Sequence, residues 1–179
     1  MARMLGPLAP GDAGDALDGK HWDEVEEAVE LLHEERWLDA ILEVRKILDD
    51  SPRNPYAFYF LGVALYETGK YEPARDAYRA AIAISPRYLG ARVHLSHTLR
   101  LLKDQRGAIE QAEIARRQSP DDPEVWHALG MALALAGRKD DARRYLEAFL
   151  RSQPELEVSL EVRAMLERIG PAPENDDDE

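Results

Sequence analysis

The apolar positions of this chain recur at helical spacing, and the recurrence itself repeats. Trp22, Val25, Ala28, Val29 and Leu32 form an i, i+3, i+4 stripe of one helix. Its other face carries Asp23, Glu24, Glu26, Glu27, Glu30, Glu34 and Glu35. Near the far end, Val158, Val162, Met165, Leu166 and Ile169 form another stripe, over residues 156–169, closed by Gly170-Pro171. Between them runs a longer period. Pro52, Pro86, Pro120 and Pro154 stand 34 residues apart, as do Ala40, Ala74, Ala108 and Ala142, and Ala28, Gly62, Ser96 and Gly130. Three columns in register predict four units: 21–54, 55–88, 89–122 and 123–156.

The punctuation inside each unit fits paired helices. Asn54-Pro55 and Asp122-Pro123 each set a capping side chain before a proline at the first helical position, where the missing N–H costs nothing. Gly69 and Gly137 stand where a first helix must stop and turn back. Pro73 falls in the first turn of a second helix, a tolerated place. The third unit has Lys103-Asp104 in place of a turn glycine, so its turn is expected to be tighter or less regular. Residues 1–20, with their glycines and prolines, predict a flexible leader, and residues 170–179 a disordered acidic tail.

The second unit reads Phe58-x2-Leu61-Gly62-x2-Leu65, Gly69-Lys70-Tyr71, Ala74-x3-Tyr78, Ala81 and Pro86. The fourth reads Trp126-x2-Leu129-Gly130-x2-Leu133, Ala142-x3-Leu146 and Pro154. These spacings resemble the tetratricopeptide repeat (TPR). The third unit departs with Arg92 at the large aromatic position, and the first with Glu24 and Glu27 at normally apolar ones. The resemblance implies an all-α, right-handed superhelical solenoid of antiparallel helix pairs, with four repeats (residues 21–156) and a C-terminal capping helix at 156–169. Small residues (Gly62, Ala74, Ala81; Gly130, Ala142) are expected where paired helices approach, with Phe149 replacing the last small residue of the fourth unit.

Composition narrows the function. With 45% hydrophobic and 32% charged residues the chain is of the folded, helix-rich kind. A net charge of -12 argues against a nucleic-acid backbone or an anionic membrane as its main partner. The chain has no cysteine, which excludes disulfides, thiolate metal sites and a cysteine nucleophile. No apolar run approaches the roughly 18 residues of a membrane span, and residues 1–20 lack the apolar core of a secretory signal, so a cytoplasmic location is expected. No phosphate-binding glycine loop or nucleophile elbow occurs. His33-Glu34 does not extend to a zinc-protease motif, because Trp37 stands where the second His belongs. No enzyme activity, metal or other cofactor is expected. His94, His97 and His127 share adjacent helices and make a zinc site conceivable, but polar contacts with a bound peptide are the favoured role.

In TPR proteins the first helix of each pair, helix A, lines a concave groove. The resemblance implies that Tyr56, Tyr59, Val63, Tyr66, His97, Arg100, Leu101, His127, Met131 and Leu135 face it here. Tyrosine offers large contact area at low entropic cost, as interface anchors need. The Lys/Arg and Asn clamp of chaperone-binding TPR domains is missing: Val25, Val29, Phe60 and Val63 occupy its places. The expected ligand is an apolar or aromatic peptide with an acidic residue meeting Arg100. The expected function is a non-enzymatic scaffold or adaptor that binds a partner protein's peptide segment or helix in this groove. Two alternatives stand beside it: a bacterial type III secretion-like chaperone for a hydrophobic secreted protein, and a self-assembling TPR oligomer such as a homodimer through the solenoid ends. The acidic first helix is expected to be a solvated end face or, alternatively, a docking surface for a basic segment.

Overall fold

The computed structural model describes residues 16–171, and every regular element among them is a helix. They run α1 (Ala16–Asp23), α2 (Glu26–His33), α3 (Trp37–Asp50), α4 (Pro55–Glu67), α5 (Tyr71–Ile84), α6 (Leu89–Leu101), α7 (Gln105–Gln118), α8 (Pro123–Leu135), α9 (Lys139–Arg151) and α10 (Leu156–Ile169). The helices α2, α4, α6 and α8 are the A helices of the four units and α3, α5, α7 and α9 their B partners, with α10 in the place of a further A helix. Each packs on its chain neighbours, and A helices also pack on one another, α4 on α6 and α6 on α8, then α8 on α10. B helices make no comparable contact among themselves. Elements that touch lie on the inside of a curve, so the A helices form the concave face. The solenoid expected from the 34-residue step is the fold found.

Close approach within a pair is enforced by small side chains. A Cβ on Gly62 would fall 2.6 Å from the Tyr78 ring, and one on Gly130 would fall 2.7 Å from the Leu146 side chain. Ser96, in the same column, has its hydroxyl donate to the Ala108 carbonyl at 2.8 Å. Buried apolar residues then run on from pair to pair in two clusters that overlap between α6 and α8, with Ile109 packed against both.

The turn of the third unit is not tighter or less regular. Glu35, Gly69, Lys103 and Gly137 all adopt positive φ (58°, 74°, 63° and 79°). Lys103 N–H donates to Arg100 and Asp104 N–H to Leu99, reproducing Gly69 to Tyr66 and Lys70 to Leu65. The stacking of the next helix fixes this geometry, so Glu35 and Lys103 accept left-handed strain of about 1–2 kcal/mol.

The first unit differs from expectation at two points. Helix begins at Ala16, inside the stretch expected to be a flexible leader, and the continuous stripe from Trp22 to Leu32 is broken between α1 and α2. At the break, Val25 N–H donates to the Trp22 carbonyl instead of that of His21. Asn54 Nδ2 takes the released His21 carbonyl at 2.8 Å and also reaches Glu24 at 3.1 Å. The same side chain caps α4, its Oδ1 accepting from Tyr56 N and Ala57 N, both at 3.0 Å. The break turns Trp22 onto Tyr56 and Phe60, ring centroids 5.4 and 6.0 Å apart. Residues 1–15 and 172–179, most of the expected leader and tail, lie outside the described residues.

Asn54 therefore needs both an acceptor and a donor, and Asn54→Asp separates the two needs. The cap survives, as Asp122 capping α8 shows. A carboxylate oxygen, however, replaces the donor facing the His21 carbonyl and the Glu24 carboxylate. Asn54→Asp is expected to cost about 2–3 kcal/mol at pH 7, with part regained at pH 5, read from urea midpoints. Stability within about 0.5 kcal/mol of the parent at pH 7 would refute this linkage role, since that is the scatter of an inert surface change.

Candidate functional site

The concave face is built from α4, α6 and α8, with α10 closing one end. Its central row is filled from within. Tyr59 is fully buried, its ring 4.9 Å from Tyr88, 5.2 Å from Phe60, 5.3 Å from His94 and 5.9 Å from Tyr78. Its hydroxyl lies 3.3 Å from His94 Nδ1, and burial pushes the phenol well above its ordinary pKa. Tyr56, Val63 and Met131 are buried as well.

His97 and His127 sit side by side between α6 and α8, ring centroids 4.9 Å apart, and His127 stacks on Phe149 at 4.7 Å. Both are buried, and neither His97 Nδ1 nor His127 Nε2 has a hydrogen-bond partner. Burial, reinforced by His127, Arg100 and His94, pushes His97 well below the usual imidazole value. Burial and Arg100 bring His127 down to about 4. Both are neutral at physiological pH. His94 turns elsewhere, its Nδ1 within 2.9 Å of the Gly90 carbonyl, and among the described residues no three His, Cys, Asp or Glu converge as a metal would require.

Of the ten residues expected in the groove, Tyr56, Tyr59, Val63, His97, His127 and Met131 thus form its wall. Tyr66, Arg100, Leu101 and Leu135 keep accessible surface. These four come from the C-terminal ends of α4, α6 and α8 and make one rim. Tyr66 leans on Tyr71 at 5.4 Å, and burial raises its phenol to about 12 against the opposing pull of Arg100. Arg100 Nη2 stands 3.7 Å from Glu161 of α10, while its Nε has no partner. Glu67 joins the rim with its carboxyl pushed up by burial. Glu67 stands at a groove position that the repeat implies for the second unit, whereas the reach of Glu161 from α10 to α6 was not foreseen.

The rim presents an apolar and aromatic strip of Tyr66, Leu101 and Leu135 with the Arg100 cation beside it. Val25 and Phe60, at two of the four clamp places, are fully buried, and no basic side chain stands at any of them. No helix among the described residues is long and apolar enough to cross a membrane.

The tetratricopeptide repeat family model matches residues 25–88 and 104–157, more than half of the chain. No curated protein matches the sequence. Among solved structures, a thermophilic TPR protein from Thermus thermophilus aligns with TM-score 0.67 at 24% identity, over 83% of this chain and 80% of that one. MamA from Desulfovibrio magneticus RS-1 aligns with TM-score 0.68 at 16% identity, over 86% of each chain. The first TPR domain of Spaghetti (RPAP3), solved with the HSP90 peptide SRMEEVD, aligns with TM-score 0.61 at 21% identity, over 66% of this chain and 95% of that one. At such identities these structures show the shared fold alone.

Proposed function

Since this chain belongs to the tetratricopeptide repeat family, we propose that it is a non-enzymatic adaptor of the cytoplasm that holds a segment of a partner protein on its concave rim. The observation that carries this reading is the row of accessible Tyr66, Leu101 and Leu135 around Arg100, whose Nη2 has only the 3.7 Å approach of half-exposed Glu161. An acidic side chain of the ligand would complete the guanidinium in competition with Glu161, and the apolar strip would lie along the helix ends. The peptide complex of the RPAP3 domain supports a fold able to seat a peptide. Val25, Val29, Phe60 and Val63 leave no cation at the places that would hold that peptide's acidic end, and the accessible Tyr66, Leu101 and Leu135 favour apolar side chains.

A displayed peptide library selected on the full chain tests this. Binders are expected to carry two or more large apolar residues and one Asp or Glu. They should bind an Arg100→Ala/Leu101→Ser/Leu135→Ser variant at least about tenfold more weakly, a loss of about 1.4 kcal/mol. Equal affinity for that variant would remove the rim from consideration.

A further inference from the structure

Four of the five large hydrophobic side chains most exposed among the described residues lie in two pairs, one at each end of the solenoid. On α3 they are Leu38 and Leu42, 63% and 57% exposed; on α10 they are Leu156 and Leu160, 76% and 58% exposed. Each pair is spaced i, i+4 and so forms one ridge on its helix. The α10 ridge has a defined meaning in the repeat. Leu160 stands 34 residues after Trp126, and Ala164 34 residues after Gly130. In the fourth unit those positions receive helix B: Leu146 of α9 lies against Gly130, and Trp126 packs beside it. On α10 the same slot is open, with Ala164 exposed and no helix among the described residues covering it. It is shaped for a helix bringing a large apolar side chain over a small one.

We propose that α3 of a second copy occupies this slot, so that the chains associate head to tail. Laid antiparallel, Leu38 seats over Leu160 and Ala164, and Leu42 over Leu156. Arg45, exposed beyond Leu42, then reaches Glu155 and Glu157 at the start of α10, with Lys46, paired to Glu43 at 2.7 Å, beside it. At the other end Arg163 meets Glu34 and Glu35, which precede α3. A parallel two-fold contact, α10 on α10, sets Glu155, Glu157, Glu161 and Glu167 against their own copies, an arrangement of like charges; an antiparallel α10 pair would be abolished by Leu160→Asp and left intact by Leu38→Asp. Because two different surfaces meet, the contact is heterologous and leaves one free α3 and one free α10 on every pair, so that it propagates into a ring or an open chain of copies.

Sedimentation of the full chain decides it. The parent should show a mass above the 20.2 kDa of one chain, rising with concentration through the micromolar to millimolar range. Leu38→Asp and Leu160→Asp change exposed residues and should keep full helicity by circular dichroism. Each alone should stay at one chain's mass, since every possible contact then has a damaged side. An equimolar mixture should form a two-chain species and nothing larger, because one intact α10 meets one intact α3. The proposal is overturned if the parent stays at one chain's mass, if either variant associates like the parent, or if the mixture fails to pair.

Discussion

Lowering the pH from 7 to about 4.5 is expected to remove about 3 kcal/mol or more of stability, through His97 and His127. Both imidazoles are buried side by side with Arg100 near them, so the folded state resists their protonation. The unfolded chain takes those protons near pH 6.5. The unfolded state therefore binds more protons below that value, and stability falls as pH falls. The contribution is fully present above about pH 6.5 and is lost toward about pH 4 for His127. At 1.36 kcal/mol per unit this amounts to about 3 kcal/mol for His127, and His97 adds to it in the same sense. Glu67 and Glu124, whose carboxyls desolvation pushes up, act the opposite way, gaining protons on folding and stabilising as pH falls. A His97→Leu/His127→Leu variant separates the two contributions. Neither His97 Nδ1 nor His127 Nε2 has a hydrogen-bond partner, so leucine gives up no bond at those atoms. Urea midpoints at pH 7 and 4.5 should differ in the parent and nearly coincide in the variant. An equal acid slope in both would assign the effect to other groups.

The repeat made the fold legible, because stacking identical pairs demands the same residue at the same step in each. Ala40, Ala74, Ala108 and Ala142 are all fully buried, as that column required. Two departures were hidden for a physical reason. Glu35 and Lys103 carry no backbone signal of their own; the left-handed turn is imposed on them by the helices either side. The break between α1 and α2 depends on Asn54, a residue some thirty positions away, which a local stripe cannot reveal. The groove positions were legible as positions but not as accessible surface. Side-chain size is written in a sequence, whereas the gap between neighbouring A helices is not. One signal was present: α4 and α8 are apolar around almost their whole circumference, which marks a helix enclosed on all sides.

That distinction is sharpest at Tyr59, where Tyr59→Ala is expected to destabilise the protein by about 3–5 kcal/mol. The ring is enclosed by Phe60, Tyr78, Tyr88 and His94, contributed by α4, α5, α6 and the loop before α6. Its removal leaves a cavity among side chains that cannot close without moving a helix. Domains of this kind hold about 5–15 kcal/mol in all, so roughly a fifth or more is at stake. Tyr59→Phe keeps the ring and gives up only the 3.3 Å approach to His94, and should cost about 1 kcal/mol. Denaturant midpoints of the two variants, with helicity measured alongside, separate these effects. If Tyr59→Ala costs less than about 1 kcal/mol, the ring is not core and returns to the ligand-contacting surface. If the cost is as expected, weaker peptide capture by Tyr59→Ala reports a loosened α4–α6 junction and carries no information on contact. Arg100, Leu101 and Leu135 are then the positions at which binding can be lost while the fold is kept.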